Sequence, residues 1–211
     1  MTTQSEKTLT AVRQFAEKMH AGQTYGVRPY TAHLDDVDCL VVEASLHDYL
    51  IATYIWTLRA AAYLHDVAED TAVTLADLRS FLYELLPPGS ESFEPDLIVD
   101  TVRAVTDPPG ANRSERKEVL IERMSREPYP VNKLALATKL CDRLANVRRC
   151  RADIARDVHH DCRDFNCSTC DNKQLTYGLL EMYRREQAEF SRLRTPGELE
   201  YLWGRLSEAL S

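Results

Sequence analysis

Apolar residues recur at helical spacing along most of the chain. Leu9, Val12, Phe15, Ala16 and Met19 mark a first helix over Glu6 to His20, which Gly22 stops. The segment from His20 to Tyr30 reads as a loop punctuated by Gly22, Gly26 and Pro29. Pro29 is placed to start the next helix at Tyr30, with His33 in its first turn. After a short break over Ala44 to Tyr49, the apolar run of Leu50, Ile51, Ile55 and Leu58 predicts a long central helix to Glu69. Thr74-Leu-Ala-Asp77 is a helix start, and Pro87-Pro88-Gly89 its end. Further helices are predicted over Pro95 to Thr106, Arg113 to about Arg126, Val131 to Arg149, Leu175 to Leu193 and Glu198 to Leu210. Gly and Pro lie at helix ends and no β-hairpin signal is present, so the expected fold is all-α.

One stretch breaks the amphipathic rule. Ala60-Ala-Ala-Tyr-Leu-His65-Asp66-Val-Ala-Glu69-Asp70 places four ionisable side chains behind an apolar run. On a continuous helix of about 3.6 residues per turn, Glu69 stands one turn above His65 and Asp70 one turn above Asp66. Burying such carboxylates without partners costs several kcal/mol or forces them to protonate, and a divalent cation removes that penalty. Mixed imidazole and carboxylate donors suit Mn²⁺, Fe²⁺ or Zn²⁺. On the helix from Val131, the stripe Lys139, Asp142, Asn146, Arg149 interrupts Leu134, Leu136, Ala137, Leu140, Leu144 and Val147. Its carboxylate faces either water or a metal. His33 taken alone is a capping or core residue or a ligand. Arg113, Arg116 and Lys117, at i, i+3 and i+4, put three cations on one helix face. That face is either solvated or a clamp for phosphoryl oxygens.

Composition narrows the classes. A chain of 211 residues reads as one domain with appendages: a core over about 6–150, a loop over 151–173 and C-terminal helices over 174–211. The net charge of −7 argues against a nucleic-acid partner, since phosphate neutralisation needs surplus Lys and Arg. No apolar stretch approaches the roughly 20 residues that span a bilayer, and the first ten residues lack a signal-peptide pattern. The expectation is a cytoplasmic protein without membrane partners, its six cysteines reduced. Cys162, Cys167 and Cys170 beside His159-His160 suggest a zinc knuckle. No second Cys-x-x-Cys pair supports it, so a loop with incidental thiols is the simpler account.

In combination, His33, His65-Asp66 and Asp142 resemble the metal ligands of the HD-domain phosphohydrolases. More closely, four motifs in order resemble the hydrolase domain of RelA/SpoT proteins and the small alarmone hydrolases. They are His20-Ala-Gly22-Gln23, Pro29-Tyr30-Thr-Ala-His33, Leu64-His65-Asp66-Val-Ala-Glu69-Asp70-Thr71 and Lys139-Leu140-Cys-Asp142-Arg143-Leu-Ala-Asn146. The resemblance covers residues 6 to 150. It implies Mn²⁺ held by His33, His65, Asp66 and Asp142, a water positioned and deprotonated by Glu69 and Asp70, and Asn146 against the nucleotide sugar. By position, Arg113, Arg116, Lys117 and Lys139 are candidates for the substrate phosphates.

The chain departs from that family at two places. Where the family packs an Arg-Lys pair against guanine, this loop reads Thr24-Tyr25-Gly26-Val27-Arg28, leaving Tyr25 to stack on a base and Arg28 to replace one cation. Where the family often has a small hydroxyl residue three places after the asparagine, Arg149 stands. The implied activity is removal of the 3'-pyrophosphate of guanosine tetra- or pentaphosphate (ppGpp, pppGpp), with a small-molecule nucleotide as the partner. The rivals are an HD-type hydrolase of another nucleotide (a nucleoside monophosphatase, deoxynucleotide hydrolase or NADPH phosphatase) and a non-catalytic nucleotide-binding module. Oligomeric state is not legible.

Overall fold

The computed structural model describes residues 3–86, 93–108, 112–156 and 168–211, with the side chains of 156 and 168–175 outside the description. Helix α1 (Gln4–Met19) opens on a Thr3–Glu6 capping box, which satisfies two of the amide donors that a helix start leaves orphaned. It leads to two short antiparallel strands, β1 (Thr24–Tyr25) and β2 (Arg28–Pro29), with Tyr25 opposite Arg28. This hairpin corrects the expectation of an unstructured loop. Two-residue strands carry no periodic signal, and the turn depends on Gly26 at φ +63°, which a side chain would strain. Pro29 accordingly ends β2, and α2 (Thr31–Ser45) starts one residue later than expected.

The predicted long central helix is three pieces: α3 (Tyr49–Thr53), α4 (Ile55–Leu64) and α5 (Val67–Asp70). The second break falls at His65-Asp66. The Ala62 carbonyl, which a continuing helix would offer to the Asp66 amide, accepts instead from His65 Nδ1 at 2.8 Å. Asp66 then starts a new turn, its carbonyl accepting from Glu69 N at 3.2 Å and Asp70 N at 2.8 Å. α6 (Leu75–Leu85) begins at a Thr74–Asp77 capping box. α7 (Pro95–Val105) and α8 (Arg113–Arg126) follow, the latter capped by Asn112.

α9 (Val131–Arg156) outruns its predicted end at Arg149 by seven residues. It is the axis of the molecule, packed on by α2, α4, α7, α8, α10 (Ser168–Phe190) and α11 (Glu200–Leu210). Every residue from Leu134 to Ala145 is buried, as expected of a helix surrounded on all sides. Truncating Leu134 or Leu140 there would cost about 2–5 kcal/mol. Of the zinc-knuckle candidates, His159, His160, Cys162 and Cys167 lie outside the described residues and the side chain of Cys170 outside the description, whereas Cys39, Cys141 and Cys150 are free thiols.

Two apolar clusters form the interior. One gathers Val37, Leu40, Leu58, Ala104, Leu134, Leu140, Leu144 and Trp203. The other gathers Leu9, Val12, Leu34, Leu64, Val67, Leu78, Leu82 and Ile98. The fold is therefore helical, as expected, with the hairpin as a small addition. No helix among the described residues is long and apolar enough to cross a membrane.

Candidate metal centre and its surroundings

The seam between the two clusters carries the chemistry. His33 projects from the first turn of α2, His65 and Asp66 from the break between α4 and α5, and Asp142 from mid-α9. His33 Nε2 lies 3.4 Å from Asp142 Oδ1 and 3.8 Å from Asp66 Oδ2. His65 Nε2 lies 3.0 Å from Asp66 Oδ2 and 3.9 Å from Asp142 Oδ1. Donor atoms of His33, His65 and Asp66 all fall within 4.8 Å of one another, a group able to hold a metal ion.

The protonation pattern fits a cation. Nδ1 of His65 donates to the Ala62 carbonyl, so the neutral ring turns its Nε2 lone pair toward the carboxylates. That buried Nε2 lies 3.0 Å from Asp66 Oδ2 but outside hydrogen-bonding geometry. Without a cation, burial opposes charging of His65, but Asp66 and Asp142 outweigh it and raise its pKa to about 9. Burial likewise disfavours ionised Asp142, yet Arg143, His33 and Lys139 hold its carboxyl well below the usual range. The donor set, two imidazoles with two hard oxygens, suits Mn²⁺, Fe²⁺ or Zn²⁺.

Glu69 and Asp70 end α5, and the broken helix gives them different surroundings from the stacked pairs the sequence suggested. Tyr30 spans two acids, its hydroxyl donating to Asp66 Oδ2 at 2.5 Å and Asp70 Oδ2 at 3.2 Å. Its ring stacks on His20 at 4.5 Å. Gln23 Nε2 donates to the Asp70 carbonyl at 2.9 Å, and its Oε1 lies 2.7 Å from His20 Nδ1. Burial and the neighbouring Asp66 raise the Asp70 pKa. Glu69 Oε2 accepts the Asp107 amide at 2.9 Å.

The stripe of α9 faces inward rather than to water. Asn146 Nδ2 donates to Asp142 Oδ1 at 2.6 Å, and its Oδ1 accepts from the Tyr25 hydroxyl at 2.5 Å. Lys139 Nζ stands 3.8 Å and Arg143 Nη1 3.3 Å from Asp142 Oδ2. Tyr25 also lies against His33, with ring centroids 4.7 Å apart, and carries the Arg149 guanidinium 5.7 Å above its ring. Arg149 Nε binds Asp153 at 2.7 Å, and Arg28 pairs with Asp36 at 3.0 Å near the surface.

The cations of α8 share a face as the spacing predicted, and their nearest anions are protein carboxylates. Arg113 Nε meets Glu186 Oε1 at 2.6 Å, Arg116 Nε lies 3.8 Å from Asp107, and Lys117 pairs with Asp107. Lys117 is 3% exposed, and burial together with Lys139 and Arg143 lowers its pKa to about 8. Five residues given no role from sequence surround the centre: Gln23, Tyr30, Asp107, Arg143 and Glu186. Gln23, Tyr30 and Arg143 sit inside the quoted motifs. Asp107 and Glu186 carry no local signal, since their partners lie 10 and 73 residues away in sequence.

The helical bundle thus brings His, His-Asp and Asp together from three separate segments, in the arrangement that the resemblance to HD-domain proteins implied. Among solved structures, the chain is similar to a metazoan ortholog of SpoT, a protein that hydrolyses ppGpp and plays a role in starvation responses. The match covers 96% of this chain and 93% of that one, with a TM-score of 0.62 at 21% sequence identity. No protein-family model and no curated protein matches the chain.

Proposed function

We propose that the chain is a divalent-metal-dependent phosphohydrolase that removes the 3'-pyrophosphate of guanosine tetra- and pentaphosphate. One observation carries this: two buried imidazoles and two carboxylates converge, with His65 Nε2 outside hydrogen-bonding geometry, on the fold of a protein that hydrolyses ppGpp. His33, His65, Asp66 and Asp142 would hold the cation, which when bound supplies Lewis acidity and a water acidic enough to attack phosphorus near neutral pH. The chain's own residues do the rest. The Ala62 carbonyl fixes the His65 tautomer, and Tyr30 holds Asp66 and Asp70 in register. Asp70, its proton affinity raised by burial, is suited to accept a proton from the attacking water. Glu69, anchored on the Asp107 amide, orients that water. Lys139 and Arg143 offset negative charge beside Asp142.

The purified chain incubated with Mn²⁺ and ppGpp is expected to release pyrophosphate. No turnover at micromolar enzyme overturns the substrate assignment. The Arg149–Tyr25 stack favours a second reading, in which the same centre acts on another nucleotide. A nucleotide panel scored for phosphate against pyrophosphate separates the two.

A further inference from the structure

We propose that the Thr106–Asp107 peptide is a positioning device for Glu69, set by Lys117 and Arg123 of α8, so that Lys117 acts on the reaction through Glu69 and never touches substrate. The inference rests on the hydrolase reading and names the residues that hold its water-orienting carboxylate.

Glu69 stands exposed near the end of α5, where a glutamate side chain left to itself samples several rotamers. A main-chain donor fixes it: its Oε2 accepts the Asp107 amide at 2.9 Å. That N–H shares one rigid plane with the Thr106 carbonyl, since the peptide unit resists twisting. Arg123 holds the carbonyl side, donating from Nη2 to the Thr106 oxygen and, at 3.3 Å, to the Ala104 oxygen. These are carbonyls that the end of α7 leaves without helical partners. Lys117 holds the other side of the same peptide, its ammonium donating to the Asp107 carboxylate. With the oxygen pinned by one cation and the side chain by another, the plane cannot swing, and the amide stays aimed at Glu69.

The frame behind the peptide is stiff. Arg103 of α7 grips Glu127, just beyond α8, with two nitrogens at 2.9 and 2.8 Å. The Lys117 side chain is 3% exposed and that of Asp107 10%, so a substrate phosphate could reach the ammonium only by displacing Asp107. Arg116, 3.8 Å from the other Asp107 oxygen, keeps a third of its side chain open to solvent. The spacing of Arg113, Arg116 and Lys117 suggested one cationic face. Burial divides that face, and Lys117 belongs to the frame.

The test reads the Asp107 amide directly, by NMR hydrogen exchange on the full chain in EDTA, where neither metal ion nor substrate contributes. Glu69→Ala removes the acceptor and Lys117→Gln frees the Asp107 carboxylate. Each is expected to speed exchange of that amide on the order of tenfold or more, with amides in the middle of α9 unchanged. The double variant should exchange no faster than either single one, because both remove the same hydrogen bond. Arg123→Gln, which loosens the peptide from its carbonyl side, is expected to match K117Q and replaces it should K117Q not fold. In pyrophosphate release from ppGpp with Mn²⁺, K117Q should lower kcat on the order of tenfold or more with KM little changed, and K117R should restore most of it. Three results overturn the inference: exchange at Asp107 indifferent to both α8 variants, effects that multiply in the double variant, or K117Q raising KM while kcat is kept, which marks Lys117 as a phosphate contact. Failure of the hydrolase reading looks different: no pyrophosphate from wild type, yet faster exchange at Asp107 in E69A, K117Q and R123Q.

Discussion

Replacing Glu186 by Gln removes a carboxylate that links α10, through Arg143 of α9, to the proposed metal ligand Asp142. Glu186 Oε2 lies 2.8 Å from Arg143 Nε, and the two side chains are 5% and 8% exposed. Its other oxygen receives Arg113, whose side chain is 41% exposed. Breaking a buried pair leaves an uncompensated charge at a cost of about 3–5 kcal/mol. Arg143 keeps Asp142 at 3.3 Å and the Tyr183 ring at 5.3 Å, and exposed Arg113 can rehydrate. The low end, about 3 kcal/mol, is therefore expected, a fall in Tm of about 6–12 °C for a chain of this size. Arg143 would then lean on Asp142 alone, weakening Mn²⁺ binding on the order of tenfold, as loss of a group orienting a metal ligand does. R113Q is the internal control, at under about 1 kcal/mol for an exposed cation. Urea denaturation and Mn²⁺ titration calorimetry read both quantities. E186Q costing no more than R113Q, with metal affinity intact, would refute the reasoning.

Three further outcomes follow from single contacts. Tyr30→Phe keeps the ring on His20 but removes the hydroxyl shared by Asp66 and Asp70. Turnover should fall on the order of 10- to 100-fold, as loss of a charge-assisted hydrogen bond implies, with circular dichroism unchanged; wild-type kcat would discount the bridge. Gly26→Ala combines a left-handed φ of +63° with a clash at Arg149. The backbone strain alone should destabilise by about 1 kcal/mol, and KM should rise with kcat little changed; a fully stable variant contradicts this. Lys117 titrates near pH 8 in the fold, below its ordinary value of about 10.4. The unfolded chain thus binds this proton more tightly, and stability from this group rises with pH between about 8 and 10.4. Relative to K117M, wild type should gain about 2 kcal/mol between pH 8 and pH 10; parallel pH profiles would place the ammonium in a water-like environment.

Local signals made some of this legible from sequence. The Asn112 cap and the charged first turn fix α8 at the predicted Arg113–Arg126, and the Thr74–Asp77 pair starts α6 where expected. These signals act within four residues and need no tertiary context. The break at His65-Asp66 does not have that form. Ala60 to Leu64 are helix formers without Gly or Pro, and what ends the helix is the His65 ring turned back on the Ala62 carbonyl. Only the packed state fixes that rotamer. The inward direction of Lys139, Asp142 and Asn146 was likewise undecided, because the helices covering the far side of α9 come from distant segments. The family resemblance put forward His33, His65, Asp66 and Asp142 as ligands, and their closeness in the fold comes from packing. The partners of Arg113 and Lys117 were out of reach, since Glu186 and Asp107 are chosen by tertiary packing.

The seam position of the ligands has a mechanical consequence. Asp142 is rooted among Leu140, Cys141 and Leu144 of one apolar cluster, whereas His65 and Asp66 sit between Leu64 and Val67 of the other. An ion seated there would tie α9 in one cluster to the α4–α5 break in the other, across helices α2, α4 and α7 that serve both. Loading and stiffness thus become one variable: chelation should speed amide exchange in α5 and α6 before it disturbs the centre of α9.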